Sequence, residues 1–511
     1  MPQQISGQPE LSLQQRAQVE LERRKRMEGG EVSGYDAFKK KYKHNPSGFA
    51  MDCIDWGRKE GLSPYQMEAL RELSEYRRYC IRGPHGLGKT ALASIAILWF
   101  SLTRDDEQED WKIPTTASAW RQLNKFLWPE IHKWSRRLKW HVIGRPAFDR
   151  RTELMSLSMK LSTGEAFAMA SDDHTLLEGA HADTLLYLFD ESKSIPDATW
   201  DAAEGAFSTG DCYWLAISTP GEPIGRFYDI QKRKPGYEDW KVRHVTKDEA
   251  IGAGRMDKKW SLQRKRQWGE DSAVYQNRVE GNFASSDEDS TIPLAAIERA
   301  NERWLERKES TGFPIAEVLG VDVGRGGDPS VIASKGGNVI TKIEEIDNDE
   351  IMGIAGIVSG RLRGNFDLRA MIDLIGLGAG VYDRCKEQED IAARVMAFVA
   401  SLKTDKTERN GERGFVDSRS AMWWIGREML LNDELDLPPD DTLTGELTAP
   451  KYWDVSNGRI RVESKDDIRK RLGRSTNYAD AVLQTLWEDS VGSWEEFEKL
   501  GTVENYVSPW R

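Results

Sequence analysis

From about residue 76 to 230 the apolar positions fall in short runs, separated by stretches of helical period. "RRYCI", "KIPTTA", "LLYLF" and "YWLAIS" read as strands, with helices at 89–102, 119–138 and 197–207 between them. Strand–helix alternation of this kind predicts a parallel sheet covered on both faces. A helix in "SPYQMEALRELSEY", with its start signal at Ser63-Pro64, precedes the first strand. From 316 the grammar changes. Strands at 317–323, 330–335 and 338–346 follow closely, with Gly336-Gly337 as a hairpin turn. A helix at 349–362, a strand at 369–375, a helix at 379–389, a strand at 393–400, a helix at 418–432 and a strand pair at 452–463 come next. Helices at 465–472 and 477–489 close the series. The second sheet is therefore expected to be mixed, and the fold class is α/β throughout.

This pattern divides the chain. Residues 1–34 form a polar N-terminal segment, in which Leu11–Met27 reads as a charged helix. A first domain spans 35–285, with a charged helical subregion near 231–285. A linker covers 286–310, a second domain 311–490 and a tail 491–511. The acidic stretch "NDELDLPPDD" (432–441) is expected to be a surface loop.

Composition narrows the class. At 511 residues the chain exceeds what one core serves, in line with two domains. Its net charge of −12 argues against a surface that coats nucleic acid, but not against a basic channel in one domain. Cys53, Cys80, Cys212 and Cys385 are scattered, which fits a reducing compartment and disfavours a zinc knuckle. No apolar run approaches the roughly 20 residues of a membrane span, and the N-terminus has no apolar signal core. The expectation is a soluble cytoplasmic protein.

"RGPHGLGKT" (82–90) contains G-x-x-x-x-G-K-T between a short apolar strand and an Ala/Leu-rich helix. Gly83, Gly86 and Gly88 let backbone N–H groups turn inward around phosphates. Lys89 can reach the β- and γ-phosphates of a nucleotide, and the Thr90 hydroxyl can ligate Mg²⁺. His85 is expected only to fill the loop. "LLYLFDES" ends a buried strand in Asp190 and Glu191, at the ligand edge of such a sheet. Asp190 would hold Mg²⁺ through water and Glu191 would orient the attacking water. Ser218, Thr219 and Pro220, at the end of the next strand, either sense the γ-phosphate or build a turn. Gln66, one helix before the loop, is expected to read adenine through its amide.

A second constellation is harder to see. Asp322 in "VLGVDVGRGGDPSVI" sits between valines, where a carboxylate is costly to bury without a cation. Asp373 in "RAMIDLIGLGAG" ends another apolar strand, and Asp480 in "NYADAVLQTLW" lies on an amphipathic helix. Three acids converging from two strands and a helix would repel one another unless divalent cations, Mg²⁺ or Mn²⁺, neutralise them. A two-metal phosphodiesterase site follows. Asp328 is either a further ligand or a turn former. The basic run 459–475, with Lys465, Arg469 and Arg471, would hold a phosphate backbone beside it. A second basic region, Arg255–Arg266, lines the same path or faces solvent.

The order and spacing of "GPHGLGKT", "LLEGAHADTLLYLFDES", "AISTPGEPIGRFYD", "GVDVGRGGDPSVIA", "IDLIGLGAGVYDR" and "IRVESKDDIRKRLGRSTNYADAV" resemble the large terminase subunit of tailed double-stranded DNA phages. The likeness runs from about 50 to 490. It implies an N-terminal RecA-like ATPase and a C-terminal RNase H-like nuclease. Lys89 would be the ATPase lysine, Asp190 and Glu191 the Walker B pair, and Ser218–Pro220 the coupling motif. Asp322, Asp373 and Asp480 would be the nuclease acids. The implied cofactors are ATP and Mg²⁺, with Mn²⁺ able to substitute in the nuclease. The implied partners are double-stranded DNA, a small terminase subunit and the portal of a procapsid. A pentameric ring is implied during packaging and a monomer when free, in the cytoplasm of an infected bacterium. One position departs from the pattern. Glu178 stands where many members carry an arginine that acts as a finger, so a finger must come from elsewhere, with Arg121 and Arg226 as candidates. A helicase would need a second motor half, and a capsid scaffold would not need an intact Lys89, Glu191 and acid triad.

Overall fold

The computed structural model describes residues 34–57, 61–105, 108–171, 181–208, 211–284, 289–324, 329–346, 351–455, 458–473 and 475–488. Asp328, Glu178 and most of both termini, including the expected helix at Leu11–Met27, lie outside these residues.

Among the described residues the chain builds three sheets. The first holds β1 (Arg78–Arg82), β2 (Trp111–Ala117), β3 (Ser158–Lys160), β4 (Gly164–Ala168), β5 (Thr184–Asp190), β6 (Asp211–Ser218) and β7 (Lys241–His244). Their order is β3-β4-β2-β5-β6-β1-β7, and every pairing is parallel except β3 with β4. β5 is buried at every position, as a central parallel strand must be when helices cover both faces. Leu186 and Leu188 pack in one core, and Leu185, Tyr187 and Phe189 in another across the sheet.

The second sheet holds β8 (Val318–Asp322), β9 (Ser330–Gly336), β10 (Val339–Ile346), β11 (Arg369–Asp373) and β12 (Val395–Phe398). Its order is β10-β9-β8-β11-β12. β8, β9 and β10 form the expected antiparallel meander, and β11 and β12 join in parallel. The second sheet is thus mixed and the first mostly parallel, as the sequence pattern predicts. A small third sheet pairs β13 (Gly414–Phe415), β14 (Tyr452–Val455) and β15 (Arg459–Val462) in the order β13-β15-β14.

Three departures from the sequence pattern have physical causes. β3, β4 and β7 were not expected. They are short outer strands without an apolar run, and β7 is only half-buried along its length. The helix expected at 119–138 is broken by a π-helical turn over Leu123–Leu127. Pro129 follows and has no N–H to donate to the carbonyl four residues earlier, which favours a shifted register there. The acidic stretch 432–441 is not a simple surface loop. Leu435 and Leu437 are fully buried, and Asp436 accepts from Arg303 and Arg307 at 2.9 Å each.

Those arginines belong to a 17-residue helix, Leu294–Ser310, inside the stretch read as a linker. Ala296, Ile297 and Ala300 pack in the core beneath the second sheet, and the Trp304 indole donates to Ile340 O at 2.7 Å. Arg299, Arg303 and Arg307, one turn apart, meet Asp433 and Asp436. The helix is thus fastened to the second body. Its acids point the other way: Glu298 meets Lys193, and Glu309 meets Arg121, both at 2.9 Å.

Candidate functional sites

The C-terminal ends of β1, β5 and β6 come together at one edge. Arg82 is in register with Ser218, and Asp190 with Ile217. The phosphate loop leaves β1 there and runs into the helix Lys89–Arg104. Gly86 and Gly88 have φ of +81° and +74°, a left-handed backbone that side chains resist. Gly83 packs against Leu87 and Val245. Lys89 is half-buried, its ammonium donating to Pro84 O at 3.1 Å, and desolvation pulls its pKa down. Thr90 follows it in the first helical turn.

Asp190 is 3% exposed and accepts the Glu191 N–H at 3.0 Å. Burial, and then the charge of Glu191, push its carboxyl up to about 7. Glu191 has φ of +46°, an uncommon conformation for a non-glycine residue. Its Oε2 accepts from Ser218 Oγ at 3.1 Å and Thr219 Oγ1 at 3.4 Å. The hydroxyls next to Pro220, expected only as a sensor or a turn, therefore hold Glu191 itself.

Gln66 has a different part from the one expected. It is 1% exposed; its amide donates to Gly88 O at 3.0 Å and accepts from Ser63 N at 3.1 Å. The amide thus caps its own helix and braces the phosphate loop. Arg121 and Arg226 are each committed elsewhere, to Glu309 at 2.9 Å and to Asp201 at 2.6 Å.

In the second sheet, Asp322 ends β8 and Asp373 ends β11, the adjacent strand. The helix Asn477–Gln484 crosses β8 and β9 and carries Asp480. Gly320 makes that crossing possible, because a Cβ there would lie 1.9 Å from Ala481 O. Asp322 and Asp480 are each 3% exposed. Lys465 reaches Asp322 at 2.8 Å and Asp480 at 3.3 Å. Asp480 also accepts from Arg419 at 2.6 Å, Thr476 at 2.8 Å and Trp423 at 3.1 Å. Burial alone would raise Asp480, but Arg419 and Lys465 outweigh it and hold the carboxyl low. Asp373 accepts the Ile375 N–H at 3.0 Å. Burial and the neighbouring Asp322 push it up to about 7.

The three acids line one groove of about 550 Å³, together with Arg461, Lys465 and Arg469. They do not converge as tightly as expected. Among the described residues no three acidic, histidine or cysteine side chains stand close enough to hold an ion. Lys465 sits between Asp322 and Asp480, and Arg419 holds the other oxygen of Asp480.

The basic run divides. Arg461 and Arg469 are exposed on the groove, as expected of phosphate contacts. Arg471 is turned to Glu463 at 2.6 Å and Ala449 O at 2.8 Å, so it braces β15. Lys465 belongs to the carboxylate cluster. Arg419 escaped the sequence reading; its one signal was a charge inside the otherwise buried turn "SRSAMWW".

No family model matches the sequence. Over 314 residues the chain is 24% identical to a probable terminase large subunit of Enterobacteria phage P7, covering 58% of this chain and 61% of that protein. The chain is similar to phage terminase large subunits. It therefore spans about three fifths of the length of this curated relative. Among solved structures, the large terminase of a thermophilic bacteriophage aligns over 86% of this chain and 97% of its own, at 12% identity and a TM-score of 0.38. The nuclease domain of the phage Sf6 large terminase aligns over 39% of this chain and 100% of its own, at 20% identity and a TM-score of 0.33. The ATPase domain of the Thermus phage P74-26 large terminase aligns over 43% of this chain and 93% of its own, at 20% identity and a TM-score of 0.34.

Proposed function

We propose that the chain is a terminase large subunit, in which ATP hydrolysis drives double-stranded DNA into a procapsid and a separate nuclease cuts concatemeric genomes at initiation and termination. The observation that carries this reading is the presence of two anion-handling sites on one chain. A phosphate loop faces Asp190 and Glu191 on one sheet, and Asp322, Asp373 and Asp480 share a groove on another.

Both donor sets suit a hard divalent cation. The Lys465 ammonium, bridging Asp322 and Asp480, is a protein-borne stand-in for such charge. Thr90 and Asp190 would hold Mg²⁺ beside a triphosphate; in the groove Mg²⁺ or Mn²⁺ would take the place of the Lys465 ammonium between Asp322 and Asp480, and Asp373 would close in as the third ligand. When bound, divalent ions supply charge neutralisation and activation of water for phosphodiester cleavage. The protein supplies the rest. Lys89 places positive charge at the phosphates. Glu191, fixed by Ser218 and Thr219, orients water at the γ-phosphate, and Thr219-Pro220 is where a change in Glu191 passes into the chain. Arg461 and Arg469 hold the DNA backbone along the groove by sequence-independent contacts.

In this reading the partners are the small terminase subunit, which delivers DNA, and the portal, on which five copies would ring. The work takes place in the cytoplasm of the infected host. A defined packaging assay with purified procapsids tests the motor. Lys89→Ala should stop both DNA uptake and ATP turnover. Uptake that continues without turnover would sink the motor reading.

A further inference from the structure

Beyond Glu191 the chain enters a short 3-10 turn, Ser192–Ser194, that carries Lys193. The Lys193 N–H donates to Ser218 Oγ at 3.4 Å, the same hydroxyl that holds Glu191. Lys193 thus starts from the γ-phosphate end of the site. Its ammonium, however, is paired with Glu298 at 2.9 Å, on the helix fastened to the second body.

Arg278 approaches Glu298 from the opposite side, at 3.8 Å. Its backbone is part of the phosphate site, because its carbonyl accepts the His85 N–H at 3.0 Å. Its guanidinium is divided between Glu298 and Asp441, the latter at 3.0 Å, and its buried Nε has no partner. Beside this cluster lies a cavity of about 120 Å³ lined by Lys193, Glu298 and Asn277. Asn277 is 2% exposed, and its Oδ1 also has no partner. The cluster therefore combines two cations rooted at the nucleotide site, one anion from the other body, unsatisfied polar atoms and room to move.

We propose that Lys193 and Arg278 are reserve cations for the terminal phosphate of a nucleoside triphosphate, and that Glu298 is the internal anion which that phosphate displaces. The inference rests on the nucleotide reading of the Gly83–Thr90 loop. A γ-phosphate between Lys89 and Glu191 brings more negative charge than one carboxylate, in a place where burial strengthens each pairing. Lys193 and Arg278 turn toward it, and Glu298 is released. Glu302, one turn along, adds to the drive: burial and the charges of Glu298 and Glu191 already push it up to about 7. Because Arg299, Arg303 and Arg307 keep the helix on the second body, losing Glu298 loosens one of the contacts between the bodies when ATP is present and restores it when phosphate leaves. A nucleoside diphosphate, lacking the γ-phosphate, does not compete. Arg278 then supplies transition-state charge from the same chain, on a residue whose carbonyl already meets the phosphate loop.

The test uses the full chain with Mg²⁺ and fluorescent analogues of ATP and ADP. E298Q removes the competing charge and should tighten ATP binding about tenfold while leaving ADP within about twofold, since only the discriminating contact changes. Arg278→Ala should lower kcat about 100-fold with KM little changed, and Arg278→Lys should recover part of it, as expected of charge used mainly in the transition state. Asp441→Asn, which frees Arg278 from its shorter pairing, should not lower kcat. Equal ATP affinity in E298Q and the parent, or parental kcat in Arg278→Ala, overturns the proposal. A parent chain that binds no ATP, or a Lys89→Ala chain that binds it as tightly, removes the nucleotide site itself and the proposal with it.

Discussion

The two sites follow one geometric rule and handle charge differently. Each puts carboxylates at the C-terminal end of parallel strands, one strand in the first site and two adjacent ones in the second, and each leaves one carboxyl raised to about 7, Asp190 in the first and Asp373 in the second. Around Asp190 and Glu191 the partners are hydroxyls and a backbone N–H, and Lys89 is turned to its own loop. Around Asp322 and Asp480 the partners are cations already in place, Lys465 and Arg419. The first site is open to an incoming cation and phosphate. The second is partly neutralised by the protein. Under the proposed function, in which DNA is moved continuously and cut rarely, that difference would restrain the nuclease.

The contrast can be broken most severely at Arg419. The Arg419–Asp480 pair is buried on both sides, so Arg419→Met should cost about 3–5 kcal/mol in denaturant unfolding, because it strands a buried charge. A cost under about 1 kcal/mol would mean that Asp480 is held by other groups. The assembly of the second site is tested at Gly320. Gly320→Ala should destabilise by about 1–3 kcal/mol and weaken cleavage, since the new methyl pushes the Asp480 helix off β8. Unchanged stability would contradict the close approach.

Lys465→Met tests self-neutralisation directly. Without the ammonium, Asp322 and Asp480 should bind Mn²⁺ about tenfold more tightly by calorimetry, the scale of one such charge near a protein surface. Weaker binding would show that Lys465 supports the ion instead of substituting for it.

The smallest effect is a pH dependence. Folding raises Asp373 from 3.8 to about 7, so the folded chain keeps a proton that the unfolded chain gives up. Stability without divalent ions should therefore be fully present below about pH 4, fall as pH rises toward 7, and stay lower above it. Asp373→Asn should match the parent at pH 4 and exceed it at pH 8. Asp190 shifts in the same direction, so part of the slope should survive. A variant with the full parental slope would show that Asp373 does not titrate in that range.

The sequence was most legible where a site is contiguous. The phosphate-loop motif needs its glycines, lysine and threonine within eight positions, and these lie between β1 and the helix Lys89–Arg104, with Gly86 and Gly88 at positive φ. The strand-end acids were legible because a carboxylate closing an apolar run has few structural reasons to be there. What escaped depends on pairs far apart in the chain. Arg419 lies 61 residues from Asp480, and Lys193 lies 105 from Glu298, and neither pairing leaves a local pattern. The bracing role of Gln66 was not legible, because the same amide chemistry can read a base, cap a helix or brace a loop, and only the fold places it beside Gly88. The linker misled because the Leu294–Ser310 helix carries its arginines and glutamates on different faces, which only the fold assigns to different bodies.

The central claim is that one chain carries two chemically independent sites. ATP turnover and Mg²⁺-dependent plasmid cleavage, measured on the same preparations of Glu191→Ala and Asp322→Ala, test it most directly. Glu191→Ala should lose ATP turnover by about 1,000-fold and still cut DNA, and Asp322→Ala should lose cleavage by a similar factor and still turn over ATP. If Asp322→Ala cuts plasmid at the parental rate, or if either substitution abolishes both activities in a folded chain, the account is contradicted.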